Sequence, residues 1–271
     1  MDCFYYIFLY SLMFILGLAA GLLINICICR IPYGKPVFRL PLSCAECGAA
    51  LSLTALIPVL GYAALKGKYR CCGKDIPLRY YIVELLTAVV FLILLKRFSI
   101  SVELLASVFL MSILIAVFFI DIDHRIIPDS LVAAGIAGGA VLVAYSAFTG
   151  MPVFGEGFWG NRLLGLLPGT GVFFLIALIG MLIYKTEDAM GMGDVKLLAP
   201  IGLFLGWRLC IVAVMITVIL AGITGIVLIV LRLKGRRDTI PFGPFIVTGT
   251  FMAMLWGMDI FNWYTGRIAG A

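Results

Sequence analysis

The chain has 271 residues, 63% hydrophobic and 13% charged, with a formal net charge of +6. Soluble domains run at about 45–50% apolar and about a quarter charged, so this composition argues against an ordinary soluble enzyme and for a polytopic membrane protein. No interleaving of aromatic and basic residues accompanies the positive charge, which argues against a nucleic-acid partner.

The first apolar run covers roughly 5–28. It is longer than a signal-peptide core, and only Asp2 stands where a basic n-region would be, so it reads as a retained transmembrane helix. Residues 30–79 follow as the only sizeable polar segment. Further apolar runs fall at 80–95, 102–120, 130–149, 163–184, 197–230 and 242–262. A helix needs about 20 residues to cross the hydrocarbon core, with a lower limit near 17. The run 197–230 is too long for one crossing and is interrupted at Gly206-Trp207-Arg208, which predicts two short helices. The expectation is an all-α protein of about eight spans, in three parts: 1–29, a first transmembrane helix; 30–79, a small cysteine-containing loop domain; and 80–271, a membrane-embedded domain.

The segments 30–79, 121–129, 185–196 and 231–240 hold fifteen of the twenty lysines and arginines, leaving Lys96, Arg97, Arg162, Arg208 and Arg267 for the other side. By the positive-inside rule the first set faces the cytoplasm and both termini are extracytoplasmic. The basic loop 30–79 also suits contact with anionic lipid headgroups.

Of eight cysteines, Cys3, Cys27, Cys29 and Cys210 lie in or beside apolar runs and read as small buried thiols. Cys44, Cys47, Cys71 and Cys72 lie in the polar loop. A reducing compartment argues against disulfides there and leaves metal open. Cys44-Ala-Glu-Cys47 is a CxxC knuckle of zinc-binding type. Its mate is not a second CxxC but the adjacent pair Cys71-Cys72, with Tyr69 three positions before Cys72. Either these four cysteines hold a structural zinc, or the loop is metal-free and packs on the membrane face through Leu51, Leu53, Leu56, Ile57 and Val59.

Acids at the ends of membrane spans are costly and point to function. Asp121 directly follows the apolar run 104–120, and Asp194 ends the sequence GMGD at 191–194, whose glycines permit close backbone approach. Two carboxylates at one depth predict an aspartyl dyad. Like charges about 3 Å apart cannot both ionise, so the pair shares a proton and one member activates water while the other donates. A proton-relay pair in a transporter is the competing reading. Asp129, after Pro128, reads as an N-cap for the span 130–149. Asp123, His124 and Arg125 read as a solvated turn, and Glu187 and Asp188 as loop charges or assistants to the site.

Taken together, the stretches GLLINICICRIPYGKPV (with Asn25, Arg30 and Pro32), CAEC, IPVLGYAALKGK, IPLRYYIVELLTA, DIDHRIIPD, EDAMGMGDVKLLA and IPFGPFIVTG resemble, in order and over nearly the whole chain, the bifunctional type IV prepilin peptidases. These are GxGD aspartyl proteases of pilin and type II secretion systems. The resemblance implies that Asp121 and Asp194 are the catalytic pair, with Asp121 preferred to Asp123 because it opens the family's D-x-x-x-x-x-x-P-D pattern. It implies cleavage of a basic leader from prepilins or pseudopilins after a glycine at the cytoplasmic face. Methylation of the new N-terminus by S-adenosylmethionine would follow, with zinc as a structural metal, a bacterial inner-membrane location, and the pilus or secretion assembly machinery as partner. Tyr69 departs from the family's second CxxC. No nucleotide fold is visible for the methyl donor, and Gly67 and Lys68 are the candidate contacts. A peptidase without methyl transfer is the nearest alternative.

Overall fold

A computed structural model describes residues 2–37, 47, 68, 71–75, 77–155, 157–184, 191–233, 235 and 240–269. Its regular elements are helices, with an isolated antiparallel bridge between Lys68 and Asp75. Among the described residues seven helices are long and apolar enough to cross a membrane: Phe4–Tyr33, Leu78–Phe98, Val102–His124, Asp129–Thr149, Gly160–Ile179, Met192–Val230 and Gly243–Arg267. The protein is an all-α, multi-pass membrane protein. The seven helices count Met192–Val230 once. The eight spans expected from sequence count it as two helices, and it is two helices run together across a break at Gly206, whose φ of 76° and ψ of 175° are not helical.

The chain divides into two compact units, Met1–Ile100 and Ser101–Ala271. In the first, α1 (Asp2–Arg30) packs on α2 (Leu78–Phe98). A Cβ on Gly17 would meet the Ala88 backbone, and one on Gly21 the Glu84 backbone, each at 2.5 Å. Asn25 Nδ2 donates to the Tyr80 carbonyl at 2.8 Å. These pairs ascend in α1 as they descend in α2, so the helices are antiparallel. Lipid gives little hydrophobic drive to helix pairing, so close backbone approach at small residues and an interhelical hydrogen bond of about 1 kcal/mol take its place. After α1 the chain makes one 3₁₀ turn, Ile31–Tyr33, closed by Gly34 in the left-handed region. Cys29, expected to be buried, is exposed on this helix, whereas Cys210 in the second unit is buried.

The second unit is built around α3 (Val102–His124). Ser101 caps its start by accepting from the Leu104 amide at 3.2 Å. Leu110, Leu114, Val117 and Ile120 are fully buried, in a stripe at helical spacing. The helix outlasts its apolar run by one turn and stops where Arg125 turns left-handed and its amide reaches the Asp121 carbonyl at 2.9 Å. Asp121 therefore lies inside the last turn, not after the helix. Next come α4 (Asp129–Thr149) and the short α5 (Gly160–Leu164). One π turn at Leu167–Gly171 leads into α6 (Val172–Tyr184). Pro168, which has no amide to donate, sits in that π turn, where the hydrogen-bond register changes. The long α7 (Met192–Val230) packs along α8 (Gly243–Ala269) and against α4 and α5, while α3 packs on α8 and α4. Small residues again set the spacing. Gly135 abuts Pro200, Gly139 abuts Leu203, and Gly165 and Gly202 bring their backbones into direct contact.

Candidate active site

Three helix ends converge in the second unit. The end of α3 carries Asp121, 5% exposed. The start of α7 carries Asp194 in its first turn, after Gly191 as N-cap. The start of α8 presents the Gly243 amide, which donates to Asp121 Oδ2 at 2.9 Å in a buried setting. Gly193, beside Asp194, packs on Ile127 just past the end of α3, so the two acids lie at the same end of the unit. Asp123, by contrast, is exposed two positions farther along.

The glycines around the pair are matters of volume. A Cβ on Gly243 would lie 2.7 Å from Asp121 Oδ2 and 3.1 Å from its carboxyl carbon. One on Gly191 would lie 2.9 Å from Asp194 Oδ2, and one on Gly193 3.1 Å from Ile127 Cβ. Real Cβ atoms essentially never lie within 3.0 Å of such a neighbour, so alanine at Gly243 forces the carboxylate or the helix to move. Gly193 instead lets the α3–α4 link at Ile127 lie on the α7 turn. Glu187 and Asp188 lie outside the described residues.

Asp129 departs from its expected role. The N-cap of α4 is Pro128 and no side chain caps it; Asp129 sits in the first turn. Its Oδ1 accepts from Lys196 Nζ at 2.9 Å, although both groups are substantially exposed. Lys196 is two residues beyond Asp194, so the ion pair ties the start of α4 to the turn that bears the second acid. Exposed pairs of this kind contribute about 0–1 kcal/mol, enough to bias register and too little to hold the fold. Sequence reading missed Lys196, and it missed the Gly243 amide as a direct partner of Asp121.

In the first unit, Cys47, Cys71 and Cys72 bring three sulfur atoms within 4.8 Å of one another. Cys47 Sγ lies 3.2 Å from Cys71 Sγ, which lies 3.9 Å from Cys72 Sγ. Zinc–sulfur bonds of about 2.3 Å in a tetrahedron put two sulfurs about 3.8 Å apart. The donor set therefore fits one zinc, and adjacent cysteines do reach a common point. The Lys68–Asp75 bridge and Gly73, at φ 70°, form the turn that presents the adjacent pair. Cys44, Tyr69 and Gly67 lie outside the described residues. Lys68 is exposed.

Comparison with known proteins agrees with this division. The bacterial peptidase A24 N-terminal domain matches residues 15–98, and the Type IV leader peptidase family matches residues 108–226. A prepilin leader peptidase/N-methyltransferase of Legionella pneumophila is 30% identical over 96% of this chain and 95% of its own length. One of Bacillus subtilis is 31% identical over 96% and 99%, and one of Myxococcus xanthus 33% identical over 80% and 62%. No solved structure matches the chain. With the Legionella pneumophila and Bacillus subtilis relatives at 30% and 31% identity over nearly the full length of both chains, the chain belongs to the type IV leader peptidase family.

Proposed function

We propose that this protein cleaves the basic leader from prepilins or pseudopilins and then methylates the new N-terminus. What supports the peptidase half is that Asp121 and Asp194 lie at neighbouring ends of α3 and α7, each at the end of an apolar span. A prepilin is a basic leader followed by an apolar helix, so its scissile bond lies at that same depth. With the orientation expected from the lysine and arginine distribution, that end is cytoplasmic and both termini are extracytoplasmic.

Asp121 is the proposed general base. One of its oxygens already accepts the Gly243 amide, which suits a carboxylate that acts as an acceptor. Asp194, on which no donor is placed among the described residues, is the proposed acid. Water gives a proton to Asp121 and its oxygen attacks the carbonyl carbon of the glycine. Asp194 gives its proton to the carbonyl oxygen, forming a neutral diol. Asp121 then returns a proton to the leaving amine, the C–N bond breaks, and a diol proton restores Asp194.

The methyl-transfer half rests on the family's bifunctional relatives and on the match to the N-terminal domain. S-adenosylmethionine supplies the methyl group. Gly67 and Lys68 are the proposed contacts with that cofactor, and the parts 1–29, 30–79 and 80–271 are the proposed division of labour. Cys44, Cys47, Cys71 and Cys72 are proposed to hold a structural zinc, a staple suited to a loop of about fifty residues that makes a marginal core alone. Membrane lipid and the pilus or secretion assembly machinery are the proposed surroundings.

Purified protein in detergent, given a synthetic prepilin and S-adenosylmethionine, is expected to yield a leader ending in glycine and a mature chain heavier by one methyl. Mass spectrometry of both products decides. No cleavage rejects the peptidase; cleavage without the added methyl leaves a peptidase alone. Zinc measured by elemental analysis is expected at one per chain, and Cys47→Ser or Cys72→Ser is expected to reduce it at least tenfold. Equal metal content in wild type and variants rejects the staple.

A further inference from the structure

Arg162, on α5, is fully buried in the membrane domain, and the proposed chemistry does not use it. Its guanidinium donates to three acceptors on three segments. Nε reaches Ser146 Oγ on α4 at 3.2 Å, Nη2 the Val153 carbonyl at 2.6 Å, and Nη1 the Phe204 carbonyl on α7 at 2.5 Å. Phe204 lies two residues before the break at Gly206. The residues before a break are in the position of a helix C-terminus, whose last carbonyls lack onward amides. A cation is the favoured partner there. The acceptor loop is itself anchored, since the Phe154 amide donates to Glu103 Oε1 at 2.7 Å.

The arm that ends at this break begins with Met192 and carries Asp194 in its first turn. Gly202 of the arm lies against the Gly165 backbone just beyond α5, and Gly169 lies against the Leu198 carbonyl. We propose that Arg162 is a positioning residue for the dyad: it caps the Asp194-bearing arm at the Gly206 break and so sets where Asp194 stands relative to Asp121. Leverage makes this consequential. Asp194 is about 18 Å from the break at 1.5 Å per residue, so a tilt of about 5° at the break moves its carboxylate by about 1.6 Å. Misplacement of reacting groups by about 1 Å can cost about a hundredfold in rate. Only a planar guanidinium presents donors in a fixed fork to three such acceptors; an ammonium at the same place is a point donor.

This inference rests on the proposed peptidase activity, so its test has one readout that needs no catalysis. Arg162→Lys, Arg162→Met and the exposed control Arg267→Met are purified and compared for thermal unfolding and prepilin cleavage. Each arginine change is also combined with Asp129→Cys and Lys196→Cys. A short bis-maleimide then joins α4 to the Asp194 arm, and the joined peptide is measured by mass spectrometry. Folded Arg162→Met is expected to lose kcat at least tenfold with KM within about twofold, and to give several-fold less joined peptide. Arg162→Lys falls between, and Arg267→Met matches the parent. If Arg162→Met does not fold, Arg162→Lys carries the comparison against the same control. Unchanged kcat or unchanged joining in a folded Arg162 variant overturns the proposal. A parent that cleaves nothing overturns the peptidase reading instead, and the joining yields alone then decide the role of Arg162.

Discussion

Asp121→Asn and Asp194→Asn are each expected to abolish prepilin cleavage, by at least about a thousandfold in kcat, while the protein remains folded. Acid–base groups of this kind contribute about 10² to 10⁴ in rate, and two groups that exchange one proton act as a unit. The double variant should therefore be no worse than either single one. Asparagine keeps the shape of the carboxyl group, so the Gly243 amide can still be accepted at residue 121. The measurement is single-turnover cleavage of a synthetic prepilin, with the unfolding temperature as the control for folding. Asp123→Asn is expected to cleave within about twofold of wild type, since that side chain is exposed. Activity retained in either dyad variant removes the assignment, and loss confined to Asp123→Asn moves it.

Gly243→Ala is expected to cost at least a hundredfold in kcat with little change in KM. The added methyl would stand 2.7 Å from Asp121 Oδ2, so the carboxylate must turn or the start of α8 must withdraw, and the amide contact is lost in both cases. The reacting groups are then present and misplaced, which reduces the chemical step and spares substrate binding. Gly222→Ala is the matched comparison. Nothing lies within 4 Å of a Cβ there, and alanine in a helix is favoured over glycine by about 1 kcal/mol. It should leave activity unchanged. Steady-state kinetics on both variants, normalised to folded protein, makes the comparison. A Gly243→Ala enzyme as active as Gly222→Ala would show that the amide does not set the carboxylate.

Asp121 and Asp194 could be found in the sequence because an acid at the end of a long apolar run is costly and stands out against its neighbours. The spans were legible for the same reason, in that hydropathy locates what lipid must cover. Hydropathy does not locate where a helix ends. The last turn of α3 is polar, so Asp121 appeared to follow a helix that in fact contains it. The Gly243 contact spans 122 positions and comes from a backbone amide, which no residue type announces. Asp129 has the composition of a cap, but Pro128 occupies the cap position and the carboxylate turns to Lys196. Arg162 counted only as one of five basic residues on the less basic side. Its acceptors are carbonyls and a hydroxyl, groups present throughout any sequence. Gly206 was legible as the place where one long apolar run divides into two helices, because Trp207 and Arg208 follow it.

The amide on Asp121 Oδ2 bears on how the enzyme could be inhibited. The Gly243 amide takes one acceptor direction of Oδ2, which leaves Asp121 Oδ1 and both oxygens of Asp194 less committed to the protein's own backbone. Peptide mimics that place a diol or hydrated ketone off-centre, toward Asp194, are therefore the better match.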